Sequence, residues 1–129
     1  MPDWLSPEWA EAAAGLSEQL PAIEGVGGTV SWSFSLAPRK EVGFKWRYEE
    51  GRPGSGSPGS DPDADLVLTL SAPDAADVIA GRVEPSVAFM RGRLKAAGDG
   101  KLLLAFLEST TSPAYEGWRQ RMAELAPGA

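Results

Sequence analysis

The chain has 129 residues, which suits one domain that buries roughly two-thirds of its unfolded surface. Its formal net charge of -6 argues against nucleic-acid binding, and the absence of His and Cys argues against disulfides and a zinc site. Five Trp and four Phe indicate that apolar surface, not a reactive side chain, dominates the chemistry. We therefore interpret residues 1–129 as a single domain, and we expect no cofactor and no metal.

The first predicted element is a helix from Pro7 to about Leu20. Ser6 can cap its free N–H groups, and Pro7 costs nothing in the first turn. Apolar residues at helical spacing predict one buried face: Trp9, Ala12, Ala13, Leu16 and Leu20. We find no signal peptide and no membrane span in the sequence, so we expect a cytoplasmic protein.

Two alternating segments predict a β-hairpin with one apolar face. That face holds Val30, Trp32, Phe34, Leu36, Val42, Phe44, Trp46 and Tyr48. The opposite face of the first segment is expected to be exposed to solvent and carries Thr29, Ser31, Ser33 and Ser35. Residues 37–41 are predicted to form the turn. Each aromatic side chain buries about 150 to 250 Å², so a second layer must cover the apolar face.

Residues 51–60 are Gly, Ser or Pro apart from Arg52. This composition predicts a flexible loop inside the domain, because neither half of the chain holds a complete core. A third strand follows at residues 66–71, with Leu66, Leu68 and Leu70 on its buried face.

Two short helices and a strand follow. Ser71 and Asp74 have capping-box spacing ahead of a helix over residues 75–80, which Gly81 ends. Residues 85–91 predict a second helix, opened by a proline and stopped by Gly92. Residues 93–97 predict a fourth strand with Leu94 and Ala96 facing inward and with Arg93 and Lys95 facing outward.

Two longer helices complete the chain. Asp99 can cap a helix over residues 100–109, whose apolar stripe is Leu102, Leu103, Phe106 and Leu107. Ser112 and Pro113 open the last helix, with Tyr115, Trp118, Met122 and Leu125 along one side. The predicted fold class is α+β: a small, mainly antiparallel sheet of four to five strands with helices packed on one face.

Residues 88–99 read Ala-Phe-Met-Arg-Gly-Arg-Leu-Lys-Ala-Ala-Gly-Asp. This stretch resembles the sterol carrier protein type two signature, Ala-Phe-(Phe/Met)-x-Gly-(Lys/Arg)-Leu-Lys-(Ile/Val)-x-Gly-(Asp/Asn), which joins a helix to a strand and leads into a Leu-rich helix. The resemblance covers the second half of the chain, and the order of elements from Ser6 is compatible with the whole domain. Ala96 and Ala97 replace larger branched residues of the family, which points to a wider or differently shaped tunnel.

The resemblance implies a non-catalytic carrier of fatty acids, acyl-CoA, sterols or similar lipids, with an apolar tunnel between sheet and helices. A lipid gains about 0.8 kcal/mol for each methylene removed from water, so apolar walls suffice. The expected tunnel wall is Phe34, Phe44, Trp46, Val78, Val87, Phe89, Met90, Leu103, Phe106 and Leu107. Weaker candidates for a lipid headgroup are Arg91, Arg93 and Lys95. The competing interpretation of each residue is ordinary core or a solvated strand edge.

The expected partner is a small hydrophobic ligand, with transient membrane contact, no stable insertion, and a monomeric or weakly dimeric state. Two alternatives stay open. A small cavity enzyme of the cyclase or isomerase type could act through Asp77, Glu108 or Tyr48, and a buried carboxylate with a raised pKa would favour it. A dimerisation or scaffold module could bury Trp4, Trp9 or Trp118 in an interface. The carrier interpretation itself depends on space for a guest under the aromatic face.

Overall fold

The computed structural model describes residues 4–36 and 40–125. Helix α1 and a short 3-10 turn come first, then five strands, two helices, a sixth strand and two helices. Their bounds are α1 (Pro7–Gly15), the 3-10 turn (Ser17–Gln19), β1 (Gly28–Leu36), β2 (Lys40–Glu49), β3 (Arg52–Pro53), β4 (Ser57–Pro58), β5 (Leu66–Ser71), α2 (Ala72–Ile79), α3 (Pro85–Met90), β6 (Lys95–Gly98), α4 (Gly100–Ser109) and α5 (Pro113–Leu125). The α+β class is confirmed.

The sheet is mixed and mostly antiparallel, with strand order β3-β2-β1-β5-β6 and with β4 also paired to β2. The hairpin of β1 and β2 is confirmed, with Gly28 opposite Tyr48 and Trp32 opposite Phe44. Strand β5 runs parallel to β1, with Val30 opposite Leu66. The sheet has six strands instead of the predicted four to five, because β3 and β4 form where a loop was expected.

The predicted helix signals are confirmed at several ends. Ser6 Oγ accepts from Trp9 N at 3.1 Å, and Ser71 Oγ accepts from Asp74 N at 3.2 Å. Such caps stabilise a helix by about 1 kcal/mol each. Helix α1 ends at Gly15 and not near Leu20, because the chain tightens there into the 3-10 turn. Residues 37–39 of the predicted turn lie outside the described residues.

The face of β1 that is predicted to be exposed to solvent is largely covered. Ser31 and Ser33 are buried, although both were predicted to face solvent. Residues 59–65 cross this face between β4 and β5, and Asp61 N donates to Ser31 Oγ at 2.8 Å. Ser33 Oγ donates to a carboxylate oxygen of Glu41. The sequence pattern was correct about polarity, but it could not show that a later segment would cross these serines.

Residues 51–60 make more contacts than their composition predicts. Gly54 N donates to Arg47 O at 2.8 Å, and Gly56 N donates to Ala14 O at 3.1 Å. The buried Ser17 donates through its hydroxyl to Gly54 O at 2.7 Å. These bonds tie the segment to α1, the 3-10 turn and β2.

Candidate functional site

Seven aromatic side chains form a buried cluster between the inner face of the sheet and the helices. The aromatic cluster consists of Trp9, Trp32, Phe34, Phe44, Trp46, Phe106 and Trp118, each at most 2% exposed. Strand pairing sets Trp32 beside Phe44 with ring centroids 6.4 Å apart, and Trp46 follows Phe44 at 5.7 Å. Helices α4 and α5 close the cluster from above, because Phe106 and Trp118 lie 6.1 and 6.3 Å from Trp32. Such ring pairs add to the stabilisation that burial alone provides.

The expected tunnel residues fall into three groups. Phe34, Phe44, Trp46 and Phe106 belong to the aromatic cluster, and Val78 and Leu107 are buried beside it. Val87, Phe89 and Leu103 are half-buried. Met90 is 82% exposed at the end of α3, whose buried residues are Pro85 and Ala88. Met90 therefore lies on the surface, on the side of α3 that faces away from the buried Pro85 and Ala88.

An open tunnel is not shown by the structure. The rings of the aromatic cluster pack against one another, with neighbouring centroids about 6 Å apart. Two of the pockets that the structure contains lie elsewhere, at the edge of the sheet. One of about 360 Å³ lies between the start of α1 and the β2–β4 edge and includes Ala10, Val42 and Pro58. The other is lined by residues 47–55 near β3.

A third pocket, the helix-side cavity, has a volume of about 240 Å³ and lies where α2 and the following turn meet the start of α5. Its walls include Val78, Glu84, Thr111, Tyr115 and Arg119. Arg119 donates to Ile79 O at 2.8 Å and binds Glu116, which lowers the pKa of Glu116 and raises that of Arg119. Burial raises the pKa of Tyr115 above its ordinary value. This cavity has polar and apolar walls in similar proportion, unlike the predicted tunnel.

Six buried polar atoms have no hydrogen-bond partner among the described residues. They are the indole nitrogens of Trp9, Trp32, Trp46 and Trp118 and the hydroxyls of Tyr48 and Tyr115. Burial raises the pKa of Tyr48 to about 12, and the neighbouring Trp46 indole offsets part of that increase. No hydrogen bond of normal geometry joins these two side chains.

The expected site residues omitted Trp32 and Trp118. A signal for both was present in the sequence, because Trp32 alternates with Phe34 on one strand face and Trp118 lies on the apolar stripe of α5. What the sequence could not show is that these two indoles meet, since they are far apart in the chain.

The three headgroup candidates differ in their surroundings. Arg93 is half-buried and binds the carboxylates of Asp74 at 2.7 Å and Asp77 at 2.6 Å. These hydrogen bonds raise the pKa of Arg93. Arg93 is predicted to face outward with Lys95. Instead, its guanidinium pairs with two carboxylates of α2, which compensate its charge. Arg91 and Lys95 are exposed.

The enzyme alternative gains no support from the groups named for it. Hydrogen bonds from Arg82 and Arg93 lower the pKa of Asp77, which is the opposite of the expected signal. Glu108 is exposed, and no Asp or Glu side chain is buried in the described part of the chain. In residues 4–36 and 40–125 no group of side chains could hold a metal ion, and no helix is long and apolar enough to cross a membrane.

The tryptophans named for a dimer interface are used inside the chain. Trp9 is fully buried and Trp118 is 2% exposed. Trp4 is half-buried, with its ring 4.9 Å from that of Trp9. Trp9 and Trp118 therefore pack within the chain itself, and they lend no support to the scaffold alternative.

The fold is similar to several solved structures. A conserved hypothetical protein of Thermus thermophilus, described as a candidate sterol carrier protein, is 21% identical with a TM-score of 0.69, over 96% of this chain and 90% of that one. A crystal structure of sterol carrier protein 2 is 19% identical with a TM-score of 0.66, over 92% and 98% of the two chains. The solution structure of the palmitated sterol carrier protein 2-like 2 of Aedes aegypti is 18% identical with a TM-score of 0.54, over 78% and 86%.

A search of curated proteins found no match to this chain. The sequence profile described as the SCP-2 sterol transfer family, in contrast, matches residues 10–108. This range runs from α1 to the end of α4 and includes the 88–99 signature, so it covers well over half of the sequence. The chain therefore belongs to the SCP-2 sterol transfer family.

Proposed function

We propose that this protein binds and transfers a lipid, which lies between the inner face of the sheet and the helices. The family match over residues 10–108 carries the proposal. The palmitated relative of similar fold adds support, because palmitate is an acyl chain of the kind proposed here. The interior of this chain offers aromatic and aliphatic side chains from both layers, and each lipid methylene buried there gains about 0.8 kcal/mol.

The guest enters by displacing a helix, since every ring of the aromatic cluster is at most 2% exposed. Helix α5 is the candidate cover, because only Tyr115, Trp118 and Met122 are buried along its 13 residues. Of these, Trp118 lies over Trp32 of the sheet. Movement of α5 uncovers the inner face while β1, β2 and β5 keep their pairing. A lipid then replaces ring contacts that the empty protein makes with itself.

The test is displacement of a fluorescent fatty acid from delipidated protein by unlabelled hexadecanoic acid. We expect saturable binding with a stoichiometry near one, and a change in tryptophan fluorescence, since Trp32 and Trp118 flank the proposed path. Folded protein that shows no saturable binding contradicts the proposal.

A pair of variants on α4 tests the location. Leu103 is half-buried against the core, whereas its neighbour Leu104 is 67% exposed. Leu103→Asp places a charge beside the proposed guest and should weaken binding at least about tenfold, because a carboxylate in apolar surroundings costs more than about 1.4 kcal/mol. Leu104→Asp should bind like the wild type. Circular dichroism checks folding, and Leu103→Asn replaces the charged variant if that one unfolds.

A further inference from the structure

The interior of the protein contains a surplus of hydrogen-bond donors. An indole N–H can only donate, and the four buried indoles of Trp9, Trp32, Trp46 and Trp118 have no acceptor in the described part of the chain. Buried polar groups are paired in more than about nine of ten cases in native proteins, because an unpaired one has lost its hydrogen bonds to water without replacement. A purely hydrocarbon guest would leave every one of these donors unpaired.

Three of the unpaired groups occupy successive levels of one sheet face. Trp32 is level with Phe44, while Trp46 and Tyr48 follow at alternate positions of β2. Side chains on one face of a strand repeat about every 7 Å, and the rings of Trp46 and Tyr48 are 6.3 Å apart. The rings that carry these groups therefore follow the long direction of the inner face.

The charges around this face indicate what kind of acceptor fits. No Lys or Arg side chain is buried in the described residues, so the interior offers no counter-ion for a carboxylate or phosphate. With its pKa raised to about 12, Tyr48 remains a neutral donor at physiological pH. A carbonyl or hydroxyl oxygen satisfies these donors without burying a charge.

This inference rests on the proposed function. We propose that the preferred guest is an oxygenated lipid. Uncharged carbonyl or hydroxyl groups along its body accept hydrogen bonds from Trp32, Trp46 and Tyr48. The donors select for oxygen at internal positions of the guest, whereas the aromatic faces supply affinity for its hydrocarbon part. An unsubstituted chain binds, but more weakly.

Two probes that differ in one internal carbonyl test the inference. Octadecanoic acid and 12-oxooctadecanoic acid share length and carboxylate, and both are measured by displacement of the same fluorescent fatty acid. We expect the oxo acid to bind about tenfold more tightly, since one hydrogen bond to an otherwise unpaired donor is worth roughly 1 to 1.5 kcal/mol. Tyr48→Phe and Trp46→Phe should each reduce this ratio, because each removes one of the donors that distinguish the two acids.

Tyr115→Phe is the matched control. It removes the same hydroxyl as Tyr48→Phe, also buried and unpaired, but from a residue that lines the helix-side cavity. The affinity ratio of the two probes should be unchanged in this variant. A second measurement needs no substitution: in protein labelled with 15N at tryptophan, the indole proton of Trp46 or Trp32 should shift downfield with the oxo acid and not with octadecanoic acid.

The outcomes separate the two proposals. Equal affinity for both acids, with unmoved indole signals, overturns the inference and leaves lipid binding intact. Failure of both acids to bind to folded protein overturns both. If Tyr48→Phe does not fold, the indole shifts in wild-type protein decide.

Discussion

At the scale of single residues, Gly98 shows how closely the backbone is packed beside the sheet. Its φ is +119°, which L side chains rarely adopt. A Cβ at this position would lie 2.1 Å from Asp65 O, the same oxygen that accepts from Asp99 N at 2.8 Å. The backbone at the end of β6 therefore lies directly against the backbone at the start of β5.

Gly98→Ala should lower the free energy of unfolding by more than about 2 kcal/mol, because backbone strain and a backbone clash add together. Gly92→Ala is the matched variant: its φ of +73° is also positive, but nothing lies within 4 Å of the new methyl group. It should cost about 1 kcal/mol. Urea unfolding compares the two, and equal midpoints would contradict the clash.

At the scale of elements, residues 51–60 pair with the sheet and form part of its edge, instead of forming a loop. The amides of Gly54, Gly56 and Gly59 all donate to backbone oxygens of α1 or β2. A Cβ at Gly56 would lie 2.7 Å from both Ala14 O and Lys45 O. The glycines allow this close approach, and the segment in turn covers the outer edge of β2 against pairing with other chains.

Hydrogen exchange tests this description of the segment. The amides of Gly54, Gly56 and Gly59 should exchange at least about tenfold more slowly than that of Ser55, which makes no hydrogen bond to any described residue. Uniformly fast exchange across residues 51–60 would restore the flexible loop that the composition predicts.

Ser17 provides a second test of the same element. Ser17→Ala removes the buried hydrogen bond to Gly54 O and should cost about 1 kcal/mol of stability. Ser55→Ala, at an exposed position of the same segment, should change stability by less than about 0.5 kcal/mol. Thermal unfolding of the two variants distinguishes a segment that packs against the domain from one that makes no contacts with it.

At the scale of the whole molecule, both tyrosines of the chain are buried. Burial raises the pKa of Tyr48 from 10 to about 12, and that of Tyr115 is raised as well. In the unfolded chain both ionise near their ordinary pKa of about 10. The folded state therefore holds its phenolic protons at a pH where the unfolded state releases them.

Below about pH 9 both tyrosines are protonated in the folded and in the unfolded protein. They should therefore not change the free energy of unfolding in that range. As pH rises from about 10 towards 12, each tyrosine should lower the free energy of unfolding by roughly 1.4 kcal/mol per pH unit. Urea unfolding along this pH series measures the slope, and a Tyr48→Phe and Tyr115→Phe double variant should flatten it. Phenolate absorbance that titrates near pH 10 in folded protein would contradict the burial.

Most of the local structure follows from patterns within the sequence. Alternation in the 29–36 and 41–49 segments predicted the hairpin, and capping residues such as Ser6, Ser71 and Asp99 predicted helix starts that the structure confirms. The signature at residues 88–99 identified the family that the profile later matched. These features depend on neighbouring residues and on the spacing of hydrophobic residues, and both can be identified directly in a sequence.

The packing of those elements against one another became apparent only in three dimensions. The tertiary structure placed β5 parallel to β1, buried Ser31 under residues 59–65, left Met90 on the surface, and brought Trp118 onto Trp32. It does not show the open tunnel that the sequence predicts, and it left the interior donors without acceptors among the described residues. The physical reason is that contacts between distant segments depend on packing in three dimensions, whereas hydrophobic period reports only which face of an element is apolar and not what will cover it.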